Sequence, residues 1–340
     1  MALQFILGPS GAGKSEYIYE DIIRRTMQDE RENVIVLVPE QYSLEIQRKL
    51  VQKHPRGGSF QIDVIGFNRL AYRIFDELHI KPKKVLEDFG KSMLLRKAAQ
   101  EHKEELSLYA GSLDKAGFID EAKSLMSEIY QYDIPRERLR EALQKLDDSE
   151  EARVLARKLQ DMLVIFDAFE EKKGQAFIVA EQMLELLTAA AEQSEMIAGS
   201  EIVLDGFTGF TPIQLNLISV LLRRAKKVTI VLTIDAATYE KKHVAEHELF
   251  ALTKQTIEHL LLTAEQAHVV VKTALLLGKD GCKRWSKGHP LAHLEQNLFR
   301  YPYRVGKDEE QAITITAYDT PAQELTGVAE QIRTLVMEQG

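Results

Sequence analysis

The segment GPSGAGKS, at residues 8–15, constrains the fold of this chain more than any other stretch of its sequence. It matches the pattern GxxxxGK[ST] at every defined position, follows the apolar run LQFIL (3–7) and opens an amphipathic stretch (15–28). A strand, a glycine-rich loop and a helix in this order form a P-loop, in which backbone N–H groups and the helix N-terminus surround a phosphate. The segment therefore predicts an α/β fold with a phosphate or nucleotide site beside its first strand.

The motif supplies candidate ligands for a nucleotide and its Mg²⁺ ion. Lys14 is expected to reach the β- and γ-phosphates, and the Ser15 hydroxyl is expected to bind Mg²⁺. The glycines let the backbone curl so that successive N–H groups point at phosphate oxygens. The alternative is a glycine-rich turn that binds no ligand. The predicted cofactor-binding residues of the loop are Gly8, Pro9, Ser10, Gly11, Ala12, Gly13, Lys14 and Ser15.

A second motif, IVLDGF at 202–207, ends an apolar run in an aspartate. This is the Walker B pattern, in which the carboxylate supports Mg²⁺, so Asp205 joins Ser15 as a predicted metal-binding residue. Enzymes that hydrolyse the nucleotide usually carry a glutamate next, which orients the attacking water, whereas this chain has Gly206. The pattern favours nucleotide binding over fast hydrolysis. The alternative for Asp205 is an ordinary residue of a strand-end turn.

Short apolar runs alternate with helical patterns on both sides of a long middle segment. The runs that predict strands are 3–7, 33–38, 61–65, 201–205 and 228–234, and the helical patterns between them include 15–28, 42–53 and 67–78. Nearly continuous apolar strands are typical of a parallel sheet buried on both faces, and the βαβ alternation predicts such a sheet. TPIQ at 211–214 predicts a helix start, with a capping box and a proline at the first helical position.

The middle of the chain predicts a large all-helical insertion in that sheet. Residues 86–199 contain one proline, and apolar residues recur at helical spacing over 114–130 and 149–172. The segment carries 15 Lys and Arg against 24 Asp and Glu, a net charge of −9, while the rest of the chain is close to neutral. We therefore predict an acidic helical insertion between the third and fourth strands, with a surface that favours protein contact over DNA contact.

Composition excludes several classes of protein. With 45% hydrophobic and 28% charged residues in a length of 340, the chain is typical of a soluble protein of about two domains. No apolar run is long enough to span a bilayer, and the N-terminus lacks the basic residues of a signal peptide. The single cysteine, Cys282, excludes a disulfide framework, a four-cysteine zinc site and a self-contained Fe–S cluster. A cytoplasmic location without membrane association is expected.

Four segments together resemble the AddB family, the B subunits of AddAB helicase–nucleases. They are GPSGAGKS (8–15), VLVPEQYSLEIQRKL (36–50), DVIGFNRLAYRIF (63–75) and IVLDGFTGFTPIQ (202–214). The resemblance covers nearly the whole chain. The second and third segments are the most specific, because a generic P-loop protein has no reason to carry them. The resemblance implies a RecA-like domain of the UvrD-like superfamily 1 helicases, with a motor that has decayed.

This resemblance implies a role at DNA ends. AddB-type proteins bind ATP and Mg²⁺ and pair with an AddA-type helicase–nuclease subunit. The resulting complex is an ATP-dependent exodeoxyribonuclease that processes single- and double-stranded DNA at double-strand-break ends for homologous recombination, with recognition of Chi-type sequences. The implied domains are a RecA-like domain at 1–85 plus 200–308, a 1B-like helical insertion at 86–199, and the start of a second domain at 309–340. The family's C-terminal nuclease and its 4Fe–4S cluster would lie beyond residue 340.

The resemblance also implies candidate contacts to single-stranded DNA, because segments at these places line the DNA groove in such helicases. The candidates are Pro39, Glu40, Gln41, Phe67, Asn68 and Arg69. Their alternative roles are a strand-end turn and an ordinary helix start.

Three departures from active helicases set the expected activity. Only seven residues precede Gly8, which leaves no room for the upstream glutamine that reads adenine. The run Thr233-Ile234-Asp235 lacks the following glutamine of active motors, and Gly206 replaces the hydrolytic glutamate. We therefore expect a protein that binds a nucleotide without translocating, and no catalytic residue is predicted.

The last residues predict a βα unit, with a strand at 313–317 and a capped helix from Thr320 to about Gln339. Since a single βα unit cannot bury its own face, we expect it to open a further domain and Gly340 to be a fragment boundary. The alternative is a C-terminal element that packs on the first sheet.

Other patterns in the sequence are weaker. HVAEH (243–247) matches the HxxEH pattern of zinc peptidases, but its charged surroundings favour an exposed segment, and Cys282, His289 and His293 lack zinc-site spacing. Basic clusters occur at 81–84, 223–227 and 283–287. The last cluster interleaves Trp285 with cations, which is typical of surfaces that stack bases, although charge runs are more often solvated faces.

The alternative function is that of a P-loop nucleotide kinase of the guanylate-kinase type, because GPSGAGKS also resembles the loop of those enzymes. Such kinases are shorter than this chain. They have no use for a long helical insertion ahead of the Walker B strand. The helicase-like interpretation is therefore favoured.

Overall fold

A parallel sheet lies at the centre of the larger of the two units into which the chain divides, Met1–Lys279 and Asp280–Gly340. The computed structural model describes residues 1–29, 31–81, 83–115, 117–147, 149–278, 283–286, 288–307 and 312–339. The strands in these residues are β1 (Ala2–Gly8), β2 (Asn33–Leu37), β3 (Ile62–Ile65), β4 (Lys84–Val85), β5 (Phe177–Ile178), β6 (Ser200–Leu204), β7 (Lys227–Thr233), β8 (Val270–Val271) and β9 (Leu275–Leu276).

The strand order of the main sheet is β3-β2-β6-β7-β1, with β8 and β9 both paired to the far side of β1. Every pair is parallel, and the register sets Ile35 beside Ile202 and Phe5 beside Ile230. The five predicted strands and the α/β class are confirmed, with small differences at the strand ends. Because the strands run in one direction, the loops that follow β1, β2, β3 and β6 emerge at one edge of the sheet, the C-terminal edge.

Helices surround this sheet and fill the long connection between β3 and β6. The helices of the described residues, of which the last two belong to the unit Asp280–Gly340, are α1 (Lys14–Gln28), α2 (Ser43–Lys53), α3 (Phe67–Glu77), α4 (Asp88–Glu101), α5 (Phe118–Gln131), α6 (Arg136–Gln144), α7 (Glu150–Lys173), α8 (Ala180–Ala191), α9 (Glu195–Ala198), α10 (Pro212–Arg224), α11 (Ala236–Glu240), α12 (Ala251–Gln266), α13 (Pro290–Asn297) and α14 (Pro321–Gln339). The helices predicted at 15–28, 42–53 and 67–78 are confirmed as α1, α2 and α3.

The two faces of the sheet are covered by different helices. Leu3, Phe5 and Leu7 belong to one buried cluster with side chains of α3, α8, α10 and α12. Ile6 belongs to a second cluster with side chains of α1 and α2. Burial on both sides explains why the strands are nearly continuous apolar runs rather than alternating ones.

The predicted start of α10 is confirmed. Pro212 is its first residue, and the Gln214 side chain accepts a hydrogen bond from the Thr211 N–H at 3.0 Å. The helix therefore begins with the proline and with the glutamine half of the capping box that the TPIQ pattern predicts, while the buried Thr211 hydroxyl accepts no hydrogen bond from the described residues.

The segment between β3 and β6 is largely helical, but the prediction that it is all-helical is wrong. Phe177–Ile178 form β5, which pairs in parallel with β4 and so ties the two ends of the helical segment together. A two-residue strand has no periodicity to detect, so pairing with a distant neighbour decides its conformation. Helices α4, α5 and α7 build a separate apolar cluster, in which Leu95, Ile119 and Phe166 are buried. Helix α8 packs instead on α3 and α10, beside the sheet.

A buried carboxylate organises the loop between α4 and α5. Asp161 of α7 is almost fully buried and accepts hydrogen bonds from the backbone N–H groups of Ser107, Leu108 and Tyr109, each at 2.8 Å. Burial favours the neutral acid and would raise the pKa of Asp161, but these bonds outweigh burial and hold the pKa below its usual range. Asp161 therefore acts as an internal cap for a loop whose N–H groups lack helical or strand partners.

The unit Asp280–Gly340 contains α13 and α14. The predicted helix is confirmed as α14, and the Thr320 hydroxyl accepts a hydrogen bond from the Gln323 N–H at 3.3 Å. The predicted strand at 313–317 is wrong, because its residues lie outside any strand and Ile315 is exposed. A β-prone run becomes a strand only when another strand pairs with it. In the part of the chain that the structure describes, no helix combines the length and apolar character needed to span a membrane.

Candidate nucleotide site and the adjoining sheet edge

The loop between β1 and α1 has the backbone shape of a phosphate cradle. Gly11 and Gly13 adopt left-handed conformations, with φ of 70° and 82°, which side-chain-bearing residues rarely adopt. Helix α1 begins at Lys14 directly after Gly13, which has no side chain with which to cap it. The first N–H groups of a helix have no intrahelical acceptor and carry partial positive charge. The predicted loop therefore ends on a helix start that suits an anion.

The residues that follow β9 pack against this loop. Leu277, which follows β9, donates its N–H to the Leu7 carbonyl at 2.7 Å. A Cβ atom on Gly8 would lie 2.7 Å from the Leu277 carbonyl oxygen, and one on Gly278 would lie 2.8 Å from the Ala12 Cβ. Both glycines are therefore needed for close packing. Sequence reasoning missed this support, although an apolar run ending in glycine at 274–278 was a usable signal.

Lys14 lies inside the loop that it follows. Its ammonium group donates hydrogen bonds to the carbonyl oxygens of Gly8 and Pro9, both at 2.9 Å. These contacts keep the cation beside the N-terminal start of α1, which is the position expected for a phosphate-binding lysine.

Asp205 follows β6 and is buried. The hydroxyl of Tyr19, a buried residue of α1, donates a 2.6 Å hydrogen bond to one Asp205 carboxylate oxygen. Burial raises the pKa of Tyr19 far above its usual range, and the Asp205 charge and hydrogen bond raise it further, while a hydrogen bond with the Ser15 hydroxyl acts in the opposite direction. Tyr19 lies one helical turn after Ser15 on α1, so its bond to Asp205 joins the two elements that carry the predicted Mg²⁺ residues.

Sequence reasoning missed Tyr19, which lies four residues after Ser15. Its ring belongs to the apolar face of α1 and packs among buried residues of the sheet. Tyrosine hydroxyls usually find a polar partner when they are buried. A tyrosine on the buried face of the helix after the P-loop was therefore a signal for a polar group nearby.

The backbone conformation at position 206 explains why this chain has glycine where active motors carry glutamate. Gly206 has a φ of 83°, and a Cβ atom there would lie 3.4 Å from the Pro39 ring. A glutamate at this position would therefore adopt a strained backbone conformation.

Asp235 ends the run that lacks the following glutamine of active motors. It accepts a 2.6 Å hydrogen bond from the Thr238 N–H and caps the five-residue helix α11.

The candidate DNA residues meet at the same edge of the sheet. Glu40 accepts a 3.2 Å hydrogen bond from the Asn68 N–H, at the start of α3, and a Cβ atom on Gly66 would overlap the Glu40 carboxylate. The carboxylate therefore joins the loop after β2 to the loop after β3. Gln41 and Arg69 are exposed on either side of this contact. Glu40 thus has a local structural role as a cap on α3.

Three partly buried aromatic rings lie at this edge beside Gly206. The ring of Phe67 is 5.4 Å from that of Phe207, which is in turn 5.3 Å from that of Phe210. Sequence reasoning did not select Phe207 or Phe210, although both belong to the GFTGF run after Asp205. These rings follow β3 and β6, the two strands that flank β2, and provide flat apolar surface on which a base can stack.

The remaining candidates lie elsewhere. The HVAEH segment is outside any helix, so its two histidines do not share a helix face, and no cluster of three or more metal-binding side chains occurs in the described residues. Cys282 and Lys287 lie outside the described residues. The Nδ1 atom of His289 accepts a hydrogen bond from the Leu291 N–H at 3.2 Å.

Two of the basic clusters have local partners. In the cluster at 223–227, Arg224 pairs with Glu195 at 3.9 Å and Lys227 with Glu201 at 3.2 Å, so acidic neighbours offset part of its charge. In the cluster at 283–287, the guanidinium of Arg284 lies 5.7 Å from the centre of the Trp285 ring. The tryptophan face is therefore already near a cation of its own cluster.

Comparison with known proteins gives one consistent result. The family model described as "ADDB, N-terminal" matches residues 5–295. A protein of Lachnoclostridium phytofermentans, named as the B subunit of an ATP-dependent helicase/deoxyribonuclease, is 37% identical over the whole chain. Proteins of the same name from Clostridium novyi and Caldanaerobacter subterraneus subsp. tengcongensis are 30% and 31% identical over 99% and 100% of it. The chain spans about 30% of the length of these relatives.

Proposed function

Because the chain belongs to the AddB N-terminal family, we propose that it forms the nucleotide-binding, DNA-contacting part of the B subunit of a helicase/deoxyribonuclease. In this proposal the nucleotide is ATP with Mg²⁺, and the sheet with its flanking helices is a RecA-like module that binds ATP without driving translocation. The module would serve an enzyme that processes DNA double-strand-break ends for homologous recombination in the cytoplasm.

The proposed ATP site consists of the loop from Gly8 to Ser15 together with Asp205. The observation that carries it is the 2.6 Å hydrogen bond that the Tyr19 hydroxyl, one turn after Ser15 on α1, donates to Asp205, beside a helix start whose N-cap is a glycine. Left-handed Gly11 and Gly13 leave room for a phosphate close to the backbone. A bound Mg²⁺ would supply charge neutralisation for the β- and γ-phosphates.

Different residues of the site would bind the phosphates and the metal ion. Lys14 would exchange its bonds to the Gly8 and Pro9 carbonyls for bonds to the terminal phosphates. The first N–H groups of α1 would donate to phosphate oxygens, and the Ser15 hydroxyl and the Asp205 carboxylate would hold the metal. With glycine at 206, no carboxylate follows Asp205 to orient a water, so we expect slow hydrolysis.

The proposed DNA surface is the C-terminal edge of the sheet beside the ATP site. The exposed side chains of Gln41, Asn68 and Arg69 would contact the backbone of a single strand, and the rings of Phe67 and Phe207 would contact a base. Pro39 and Glu40 would shape this edge, because Glu40 links the two loops. Fluorescence anisotropy of a labelled oligonucleotide should detect weak, salt-sensitive binding, and anisotropy that stays flat at low salt would contradict this surface.

Partners are proposed from the names of the relatives, which describe one subunit of a larger enzyme. An AddA-type helicase–nuclease subunit and DNA ends are the proposed partners, and recognition of Chi-type sequences is proposed for the complex. The 4Fe–4S cluster and the nuclease are proposed for the part of the relatives that the chain does not span. Co-purification of the two proteins tests the first of these proposals.

Nucleotide binding is tested with Lys14→Ala. Loss of the ammonium group should weaken ATP–Mg²⁺ binding by about 10-fold or more, since charge-assisted hydrogen bonds contribute about 1.5–3 kcal/mol each. Isothermal titration calorimetry measures the affinity, and Lys49→Ala on the exposed face of α2 is the matched control.

Two results would contradict the proposal. ATP affinity retained in Lys14→Ala would show that the loop does not hold the phosphates. Turnover that depends on a phosphoryl acceptor would instead support a nucleotide kinase of the guanylate-kinase type.

A further inference from the structure

Tyr19 connects the two halves of the proposed metal site. Its hydroxyl donates to the Asp205 carboxylate at 2.6 Å, and Ser15 lies one helical turn before it on α1. Ser15 belongs to the start of α1 and Asp205 to the end of β6, nearly two hundred residues later. One phenol oxygen therefore links the loop side of the site to the strand side.

The surroundings of Tyr19 leave its hydroxyl little freedom to move. The side chain is 2% exposed, and its ring packs in the cluster that contains Ile6, Val203 and Val231 of the central strands. A ring held on all sides keeps its rotamer, because packed interiors resist displacement. The oxygen is therefore at a fixed place relative to the sheet.

Asp205 is held from a second side through its backbone. Its N–H donates to the Leu37 carbonyl at 3.0 Å, which continues the pairing of β6 with β2. The backbone bond sets where the residue starts, and the tyrosine bond sets where its carboxylate points. Together they orient the second carboxylate oxygen.

We propose that Tyr19 is a positioning residue of the magnesium site, and that its hydroxyl orients the Asp205 carboxylate toward the ion that Ser15 would also hold. This inference rests on the proposed ATP–Mg²⁺ binding and adds a residue to it. Carboxylates that bind metals are commonly held by hydrogen bonds from neighbouring groups, and removing such a group typically costs about 10- to 100-fold in metal affinity.

Tyr19→Phe separates this role from packing, because it removes the oxygen and keeps the ring in the core. Loss of the oxygen leaves the Asp205 carboxylate free to rotate. The lysine and the backbone N–H groups that bind phosphate are unchanged. The variant should therefore lose metal affinity without losing affinity for the nucleotide alone.

The test is ATP affinity measured by calorimetry in EDTA and in MgCl₂, on the complete chain. Wild type should bind ATP more tightly with Mg²⁺. Tyr19→Phe should bind equally well in EDTA, and its gain in affinity from Mg²⁺ should be smaller by about 10-fold or more. Asp205→Asn should show the same loss. Tyr17→Phe, a change on the exposed face of the same helix, should match wild type in both buffers.

The outcomes separate the inference from the proposed function. No ATP binding by wild type in either buffer would refute the ATP site, and the role of Tyr19 with it. A normal Mg²⁺ effect in wild type and an equal or larger one in Tyr19→Phe would refute only the role of Tyr19. Weaker binding by Tyr19→Phe in EDTA to the same extent as in MgCl₂ would also refute it, because that result describes damage to the fold.

Discussion

Gly206 leaves Asp205 without a neighbouring side chain that could orient a water molecule. Its left-handed backbone carries the chain from β6 past the Pro39 ring toward Phe207. Active motors place a glutamate at this position to orient water. In this chain the left-handed backbone disfavours any side chain there, so we expect that one substitution would not add a carboxylate that orients water.

Gly206→Glu should therefore fail to create ATP hydrolysis. The left-handed conformation costs a residue with a side chain about 1–3 kcal/mol, so the variant should also unfold at lower urea concentration. Phosphate release and urea unfolding measure the two effects. Gly206→Ala is the control, since it shares the backbone strain and lacks the carboxylate. Phosphate release well above wild type in Gly206→Glu, but not in Gly206→Ala, would show that a missing glutamate is all that limits hydrolysis.

Candidate site residues could be predicted where a sequence motif contains them. Contacts between residues that are distant in the sequence could not be predicted. GPSGAGKS and IVLD indicate Lys14, Ser15 and Asp205 from local sequence alone. Tyr19 and Gly278 lack such a signature, because their roles arise from packing against segments nearly two hundred or more residues away. The capping role of Glu40 depends in the same way on how β2 and β3 lie side by side.

At the scale of elements, length and pairing decide which predictions succeed. The five long apolar runs form strands because they are buried within the sheet. The periodic stretches form helices because each buries one face against the sheet. Strands β4, β5, β8 and β9 have two residues each and carry no period. The run at 313–317 has strand propensity and forms no strand in the described residues. Propensity is thus informative only where a paired neighbour exists.

The contact between the loops after β2 and β3 predicts coupled effects on stability. Glu40→Ala should cost about 1 kcal/mol or less through loss of the cap on α3. Gly66→Ala should also destabilise the wild-type chain, because its new methyl group displaces the Glu40 carboxylate. In the Glu40→Ala background the same change should be neutral or slightly stabilising, since the backbone of Gly66 suits alanine.

A double-mutant cycle measured by chemical denaturation tests this coupling. Glu45→Ala, on the exposed side of α2, is the control partner for Gly66→Ala. Additive effects of Glu40→Ala and Gly66→Ala would contradict the contact.

For the whole molecule, the acidic insertion makes stability depend on pH in a specific way. The folded-state pKa of Asp161 lies below its unfolded value of about 3.9. Such a group stabilises the protein above that value, and the contribution is lost as pH falls through the folded pKa. Acid should therefore weaken the insertion through the loop that Asp161 holds.

Asp161→Asn should destabilise the chain by about 1–3 kcal/mol at pH 7, because an amide accepts the three N–H bonds less well than a carboxylate. The difference from wild type should shrink below about pH 4, as the wild-type carboxylate becomes protonated. Urea unfolding between pH 3 and pH 7 measures it. Glu171→Gln, at an exposed position of the same helix, should give curves like those of wild type. A difference that is constant over this pH range would exclude the charge as the source of stabilisation.

The position of β1 within the sheet has a consequence for how the protein is made. Leu3 pairs with Val228 on one side and with Val271 on the other, and both partners follow it by more than 200 residues. At roughly 5–20 residues per second, a ribosome needs about 10–45 s to make the first partner strand after β1 has emerged. During this time the helical insertion can complete its own core, while β1 has no partner strand. The loop after β1, against which Leu277 and Gly278 pack, is then among the last parts to form, so the proposed ATP site would be completed only late in folding.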